Sequence, residues 1–243
     1  MARSARFSDR RACDAHGLPE TPFSASFDTR DTKAVEQAAL LFLDEGIAAV
    51  PMTRVAHAAG VGVATLYRHF ATKADLAVRA ATLLWYRFNL EVNDLVISEA
   101  FRDMSGLEML DALTSAYRNE YLENPRFVAF IDELDRMLLT ERVDQSALAC
   151  YDAQIDSFYF VFEEAYRSGR TDGSIRRDVD FRLFYRSVAH ALLGVAQKLS
   201  RGELIPSDDF SLASNELHLI ADMAVTYLGG TGSGDCKRGD PDD

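Results

Sequence analysis

Cysteine is scarce: the 243-residue chain has three, Cys13, Cys150 and Cys236. They lie far apart, are odd in number and form no CxxC pair, which argues against a disulfide framework and against a cysteine zinc site. The expectation is free thiols in a reducing cytoplasm. Long hydrophobic runs are absent too. No stretch approaches the roughly 18 apolar residues of a membrane span, and the opening MARSARFSDRRACDAHG lacks the apolar core of a secretory signal. Prolines number six, and only Pro51, Pro125 and Pro206 fall between the two ends, each where a helical pattern breaks. There is no strand-like alternation, internal repeat, Gly-rich phosphate loop, nucleophile elbow or metal-ligand spacing. These absences leave no enzyme chemistry, cofactor or metal to assign.

What is present is helix and an uneven charge. Hydrophobic residues make up 48% of the chain, enough for a packed core. The net charge is −12, but residues 1–80 hold 10 Lys/Arg against 9 Asp/Glu, so the acidic excess lies in residues 81–243. Within residues 46–80 the basic residues are Arg54, Arg68, Lys73 and Arg79, against Asp75 alone. One small region therefore tolerates a polyanion that the rest would repel. Residues 1–30, with Arg3, Arg6, Arg10 and Arg11, and residues 230–243 have the composition of mobile tails; an arm touching DNA is the alternative for the first.

Periodicity predicts nine helices and an all-α fold. The first covers about 32–45, with Val35, Ala38, Ala39, Phe42 and Leu43 as its apolar stripe. Short helices follow at about 52–59 and 63–69, parted by Gly60, which can take the left-handed backbone of a tight turn. A long helix over about 73–99 keeps one face apolar for roughly 40 Å. Others are expected at about 105–122, 126–139, 144–169, 179–201 and 209–228.

The stretch GVGVATLYRHF, Gly60 to Phe70, carries the chemistry. Leu66 and Phe70 are four apart and share one helix face. With Val55, Ala56 and Val61 they close a small three-helix core against Val35 and Phe42. Arg68 then points away from that core, with Ala64 and Thr65 also outward and Tyr67 and His69 on the flanks. Such a face suits the major groove of double-stranded DNA: Arg68 for a guanine edge, Thr65 and Ala64 for a thymine methyl, His69 for a base or phosphate, Tyr67 for a phosphate. Lys73 opens the next helix, where backbone N–H groups favour phosphate.

MTRVAHAAGVGVATLYRHFATKADL resembles the DNA-binding motif of the TetR (tetracycline repressor) family of transcriptional regulators, over about residues 32–80. The resemblance implies base contacts from Val63, Ala64, Thr65, Arg68 and His69. It implies phosphate contacts from Tyr67 and Lys73, and backbone contacts near Thr53 and Arg54 of the supporting helix. Gly62 stands where the family commonly has Ser, Ala64 where it has Gly, and Val50-Pro51 where it has a Ser/Thr cap.

The remainder is acidic and rich in rings. Trp85, Phe88, Tyr117, Tyr121, Phe130, Phe158 and Phe162 are the candidates to line an effector cavity between helices, with ordinary core as the plain alternative. DSFYFVF is apolar around nearly its whole circumference, so that helix should be covered on several sides. Asp132, Glu133 and Asp135 read as a solvated face, and His190 as a hydrogen-bonded interior or interface residue. Small residues Ala189, Ala191, Gly194 and Ala196, with two apolar stripes on the last helix, suit a four-helix bundle with a second copy. The expected division is residues 31–76 for DNA reading and 77–229 for effector binding and dimerisation. The expected function is a ligand-responsive, homodimeric repressor that a small molecule releases from its operator. The competing class is an all-α enzyme or carrier whose helix corner does not bind DNA.

Overall fold

Ten helices follow one another in the computed structural model, which describes residues 29–205 and 208–230. Cys13, Cys236, Pro206, the Arg-rich arm and the last thirteen residues lie outside the described residues. The helices are α1 (Thr29–Glu45), α2 (Met52–Ala59), α3 (Val63–His69), α4 (Lys73–Ile97), α5 (Glu99–Arg102), α6 (Gly106–Glu123), α7 (Pro125–Leu138), α8 (Gln145–Asp172), α9 (Phe181–Ser200) and α10 (Ala213–Gly229). Among the described residues there is no strand, and no helix is long and apolar enough to cross a membrane.

Local chemistry explains the breaks. Gly60 caps α2 at φ 71°, a left-handed conformation that side chains disfavour. Thr72 and Asp75 form a reciprocal capping box at the start of α4. At its far end α4 stops at Ile97, two residues sooner than periodicity suggested, because Ser98 accepts the Phe101 N–H and starts the four-residue α5. Pro51 lies at the N-cap of α2 rather than inside it, and neither Pro51 nor Gly62 supplies a side-chain cap.

The three-helix unit of α1–α3 closes over Val35, Phe42, Val55, Ala56, Leu66 and Phe70, all at most 1% exposed. The expected core of that unit is present, with Val61 packed partly buried against it. Behind it α4 runs between α1 and α8, while α6 packs on α8 and α10, and α7 on α9. Helix α6 approaches α8 so closely that a Cβ on Gly106 would stand 1.9 Å from the backbone N of Gly169. The Asp172 carboxylate accepts the Gly106 N–H at 2.7 Å and ties that crossing.

Candidate nucleic-acid interface and inner aromatic core

Seven residues of α3 present the face that the sequence pointed to. Leu66 is buried at 1% beneath it, while Val63, Ala64, Tyr67 and Arg68 are exposed and Thr65 is half-buried. Among the described residues no other element covers Tyr67, which is 50% exposed. His69 is exposed but not independent: its Nδ1 lies 2.9 Å from the Asp31 carboxylate at the start of α1. Its Nε2 faces the Arg68 guanidinium at 3.4 Å. With Nδ1–H donating to Asp31, Nε2 is left to accept from Arg68. The chain Asp31–His69–Arg68 thus orients the arginine on the open side of α3.

The flanks are tied as well. In α2, Thr53 is open to solvent, and Arg54 pairs with Glu45 at the end of α1. The Lys73 ammonium donates to the carbonyls of Ile47 at 2.8 Å, Ala48 at 3.2 Å and Val50 at 3.3 Å. It is therefore engaged inside the subunit, holding the turn between α1 and α2. The N–H side of that turn is held from elsewhere: Glu133 of α7 accepts the Ile47 N–H at 2.7 Å and the Ala48 N–H at 2.6 Å. One turn is gripped by a cation from α4 and an anion from α7.

Of the three carboxylates expected on a solvated face, Asp135 is exposed, whereas Asp132 is buried and Glu133 is engaged by backbone inside the subunit. The Asp132 side chain is buried and takes two bonds from Arg201, at 3.0 and 2.6 Å, plus Arg136 at 3.1 Å. The Arg201 hydrogen bond, with Arg136 adding, holds its carboxyl below the usual carboxylate range against its burial. Asp135, at the surface, accepts from Gln197 at 2.9 Å. Among the described residues no cluster of His, Cys, Asp or Glu is arranged to hold a metal ion.

Six of the seven candidate effector rings meet in one cluster. Tyr117 stands at its centre, 4.9 Å from Phe158, 5.4 Å from Phe88, 5.7 Å from Phe162 and 6.0 Å from Tyr121, all near edge-on. Trp85 joins through Phe158 at 5.6 Å and Phe127 at 5.0 Å. Phe130 is the exception: it stacks on Phe42 of α1 at 6.3 Å, within the contact between α7 and the three-helix unit. The cluster is closed. Beside it, between α6, α8 and α9, lies a 20 Å³ void lined by Thr114, Tyr117, Phe162, Tyr185, Val188 and Leu192 among others. There the Tyr117 and Tyr185 hydroxyls lie 3.4 Å apart. Burial raises the Tyr185 hydroxyl to about 12 and keeps that of Tyr117 well above the phenol range, so both are neutral donors and acceptors. The Trp85 indole N–H is buried beside the Tyr151 hydroxyl without a well-placed acceptor.

On the outer side, α10 carries the two expected stripes. Of the inner stripe Leu217, Ala224 and Leu228 are buried and Ile220 is partly buried, with Ala221 buried beside them, while Leu219, Met223 and Tyr227 are 60%, 62% and 47% exposed. On α9, Leu183, His190, Ala191 and Gly194 are also open, so His190 is not interior to the subunit. Phe160 of DSFYFVF is likewise 48% exposed, and that helix is left uncovered on one side.

Residues 34–80 match the family model described as bacterial regulatory proteins, tetR family. The described fold is that of solved TetR regulators. A TetR transcription regulator from Haloarcula marismortui is 18% identical with a TM-score of 0.62, over 83% of this chain and 97% of that one. FadR from Thermus thermophilus, a TetR-family repressor solved with lauroyl-CoA, is 18% identical with a TM-score of 0.58, over 86% and 100%. FadR from Bacillus subtilis, solved with stearoyl-CoA, is 13% identical with a TM-score of 0.58, over 80% and 97%. No curated protein matches the sequence.

Proposed function

We propose that this chain, a tetR-family regulator by residues 34–80 and by its fold, is a homodimeric repressor whose hold on its operator is weakened by a small molecule. Residues 31–76 read DNA and residues 77–229 bind the effector and dimerise. The observation that carries the reading is the α3 face: Val63, Ala64, Tyr67 and Arg68 stand open above a core sealed by Leu66 and Phe70. A helix of this kind fits the major groove, which displays distinct donor and acceptor patterns for each base pair. Arg68 supplies the bidentate base contact, with Val63, Ala64 and Thr65 beside it. Tyr67 and Thr53 take backbone phosphates. Arg54 must leave Glu45 to take one, and the backbone N–H groups at the start of α4 offer another.

A single seven-residue helix reads few base pairs, so a symmetric partner is required for useful discrimination. The open stripes of α9 and α10 support that partner: Leu183, Leu219, Met223 and Tyr227 stay exposed in the single chain. Small Ala191 and Gly194 let two helices approach closely.

The effector is proposed to enter the ring cluster around Trp85, Phe88, Tyr117, Tyr121, Phe158 and Phe162 from the void between α6, α8 and α9. Phe130 is assigned to packing instead. The acyl-CoA ligands of the FadR neighbours belong to proteins of the same fold. The eight residues lining this void include no Lys or Arg for a CoA phosphate. An uncharged, apolar, ring-bearing molecule is the better match, with the Tyr117–Tyr185 hydroxyl pair as its polar handle. Because the cluster is closed, its binding must displace rings, and only binding that favours the displaced packing shifts the equilibrium. Motion then reaches the reading head by two routes, along α4 and through Glu133 of α7.

Selection of bound duplexes from a random pool tests the reading. Enrichment of an inverted repeat, with half-sites at a spacing two α3 helices can span, is expected. Enrichment of no duplex, or of unrelated asymmetric sequences, favours the all-α carrier or enzyme.

A further inference from the structure

An open cleft of 570 Å³ lies on the other side of the ring cluster, between α1 and the helices α4, α6 and α7. Its floor is apolar, made by Leu41 of α1, Leu84 and Phe88 of α4, and Phe127 of α7. Phe88 and Phe127 are outer rings of the aromatic cluster, so the cleft and the effector core share a wall but not a space. Leu40 stands on its α1 rim, 55% exposed.

The charge around this floor is negative. Asp44 and Arg126 face each other across the cleft at 2.7 Å and cancel. What remains is Arg87 against Glu91 and Glu120. Two helix ends converge on the same place: the last turn of α1 contributes Leu43 and Asp44, and that of α6 contributes Glu120 and Asn124. Neither last turn holds a basic residue. A helix C-terminus carries a partial negative charge of about half an elementary unit; the N-terminus of α7, which starts at Pro125, offsets that of α6, so the α1 end is the one that adds to the carboxylates. Glu120 is half-buried. Its burial pushes the carboxyl up, and the neighbouring Glu91 and Glu123 push the same way, against the Asn124 amide that it accepts from at 2.9 Å. A group in this state is stabilised by an arriving cation.

We propose that this cleft binds a small amphipathic organic cation. Its apolar body rests on Leu41, Leu84, Phe88 and Phe127, where ring faces also favour positive charge. Its charge sits beside Glu120 and Glu91. Such an occupant touches α1 on one side and α4, α6 and α7 on the other, so it braces the three-helix unit against the rest of the chain. The binding claim stands apart from DNA reading and from the effector core, and its test uses neither.

The test is calorimetry of the full chain with tetraphenylphosphonium, and with tetraphenylborate as an anion of the same shape. Saturable binding of one phosphonium per chain is expected, with no borate binding. Glu120→Gln should weaken the cation about tenfold by removing one opposed charge. Leu40→Arg, at an exposed position on the α1 rim of the cleft, should abolish it; far-UV circular dichroism checks that both variants keep their helix content. Absence of phosphonium binding at millimolar concentration, equal binding of the borate, or binding that survives Leu40→Arg would each overturn the proposal. The last result would place the cation in the aromatic core instead.

Discussion

Glu133 of α7 accepts the backbone N–H of Ile47 across 86 positions of sequence, at 2.7 Å. The same carboxylate takes the Ala48 N–H, while Lys73 takes the carbonyls of that turn. The turn sets the angle between α1 and α2, and α2 carries α3. A displacement of α7 is therefore expected to reach α2 and α3 by a path that does not run along α4.

Glu133→Gln leaves one neutral acceptor where a carboxylate served two donors. Charge-assisted bonds are about twice as strong as neutral ones, and this pair is only partly buried. A loss of about 1 kcal/mol in urea melting is expected. DNA affinity should change without change in its salt slope, because no phosphate contact is lost. An unchanged melt together with unchanged affinity would remove Glu133 from the coupling path.

Lys73→Ala separates two roles. As a phosphate contact its loss would lower the salt slope by about one and spare stability. As the clamp seen here, its loss leaves three carbonyls short of a donor. The expected result is destabilisation of about 1–3 kcal/mol with the slope nearly unchanged. A normal melt with a reduced slope would show that Lys73 leaves the turn on binding DNA.

The helices were legible because burial imposes a period on them: Val35, Phe42, Leu66 and Phe70 announced the three-helix core, and Gly60 its turn. The α3 face was legible for the same reason, as the remainder of a helix with so few inward residues. Helix α5 was not, since four residues are too short to show a period. Nor was the tie between Glu133 and Ile47, because a carboxylate that accepts backbone N–H groups has no complementary side chain to be found in the sequence. Asp132 and Arg201 are a visible pair only once α7 and α9 are known to cross. Phe127 and Phe130 are three apart on one helix and look equivalent, yet Phe127 packs on Trp85 and Phe130 on Phe42.

The Asp132–Arg201 pair predicts the acid limb of stability. Hydrogen bonding from Arg201 holds the folded carboxyl below its unfolded value of about 3.9. Its stabilisation is complete above that unfolded value and fades as pH falls through the lower folded one. Asp132→Asn should therefore lower the melting temperature at neutral pH and narrow the gap to wild type on acidification. Parallel curves from neutral to strongly acidic pH would contradict the pairing.

Met223 is 62% exposed on the open stripe of α10. Met223→Glu should leave the subunit folded but place a charge in the dimer seam, where its desolvation costs several kcal/mol. Sedimentation should then show a monomer where wild type is a dimer. A persistent dimer would assign the seam to another face.

The central claim is that the open side of α3 reads duplex DNA, and fluorescence anisotropy over a salt series tests it most directly. The probe is a duplex from the selected pool or from the region beside the chain's own gene, with wild type and Arg68→Ala compared. The account predicts that log affinity falls linearly with log salt, at roughly −0.9 per phosphate neutralised. It also predicts that Arg68→Ala costs about 1–3 kcal/mol on the selected duplex and much less on a scrambled one. Salt-independent or absent binding, or an equal loss on both duplexes, would contradict it.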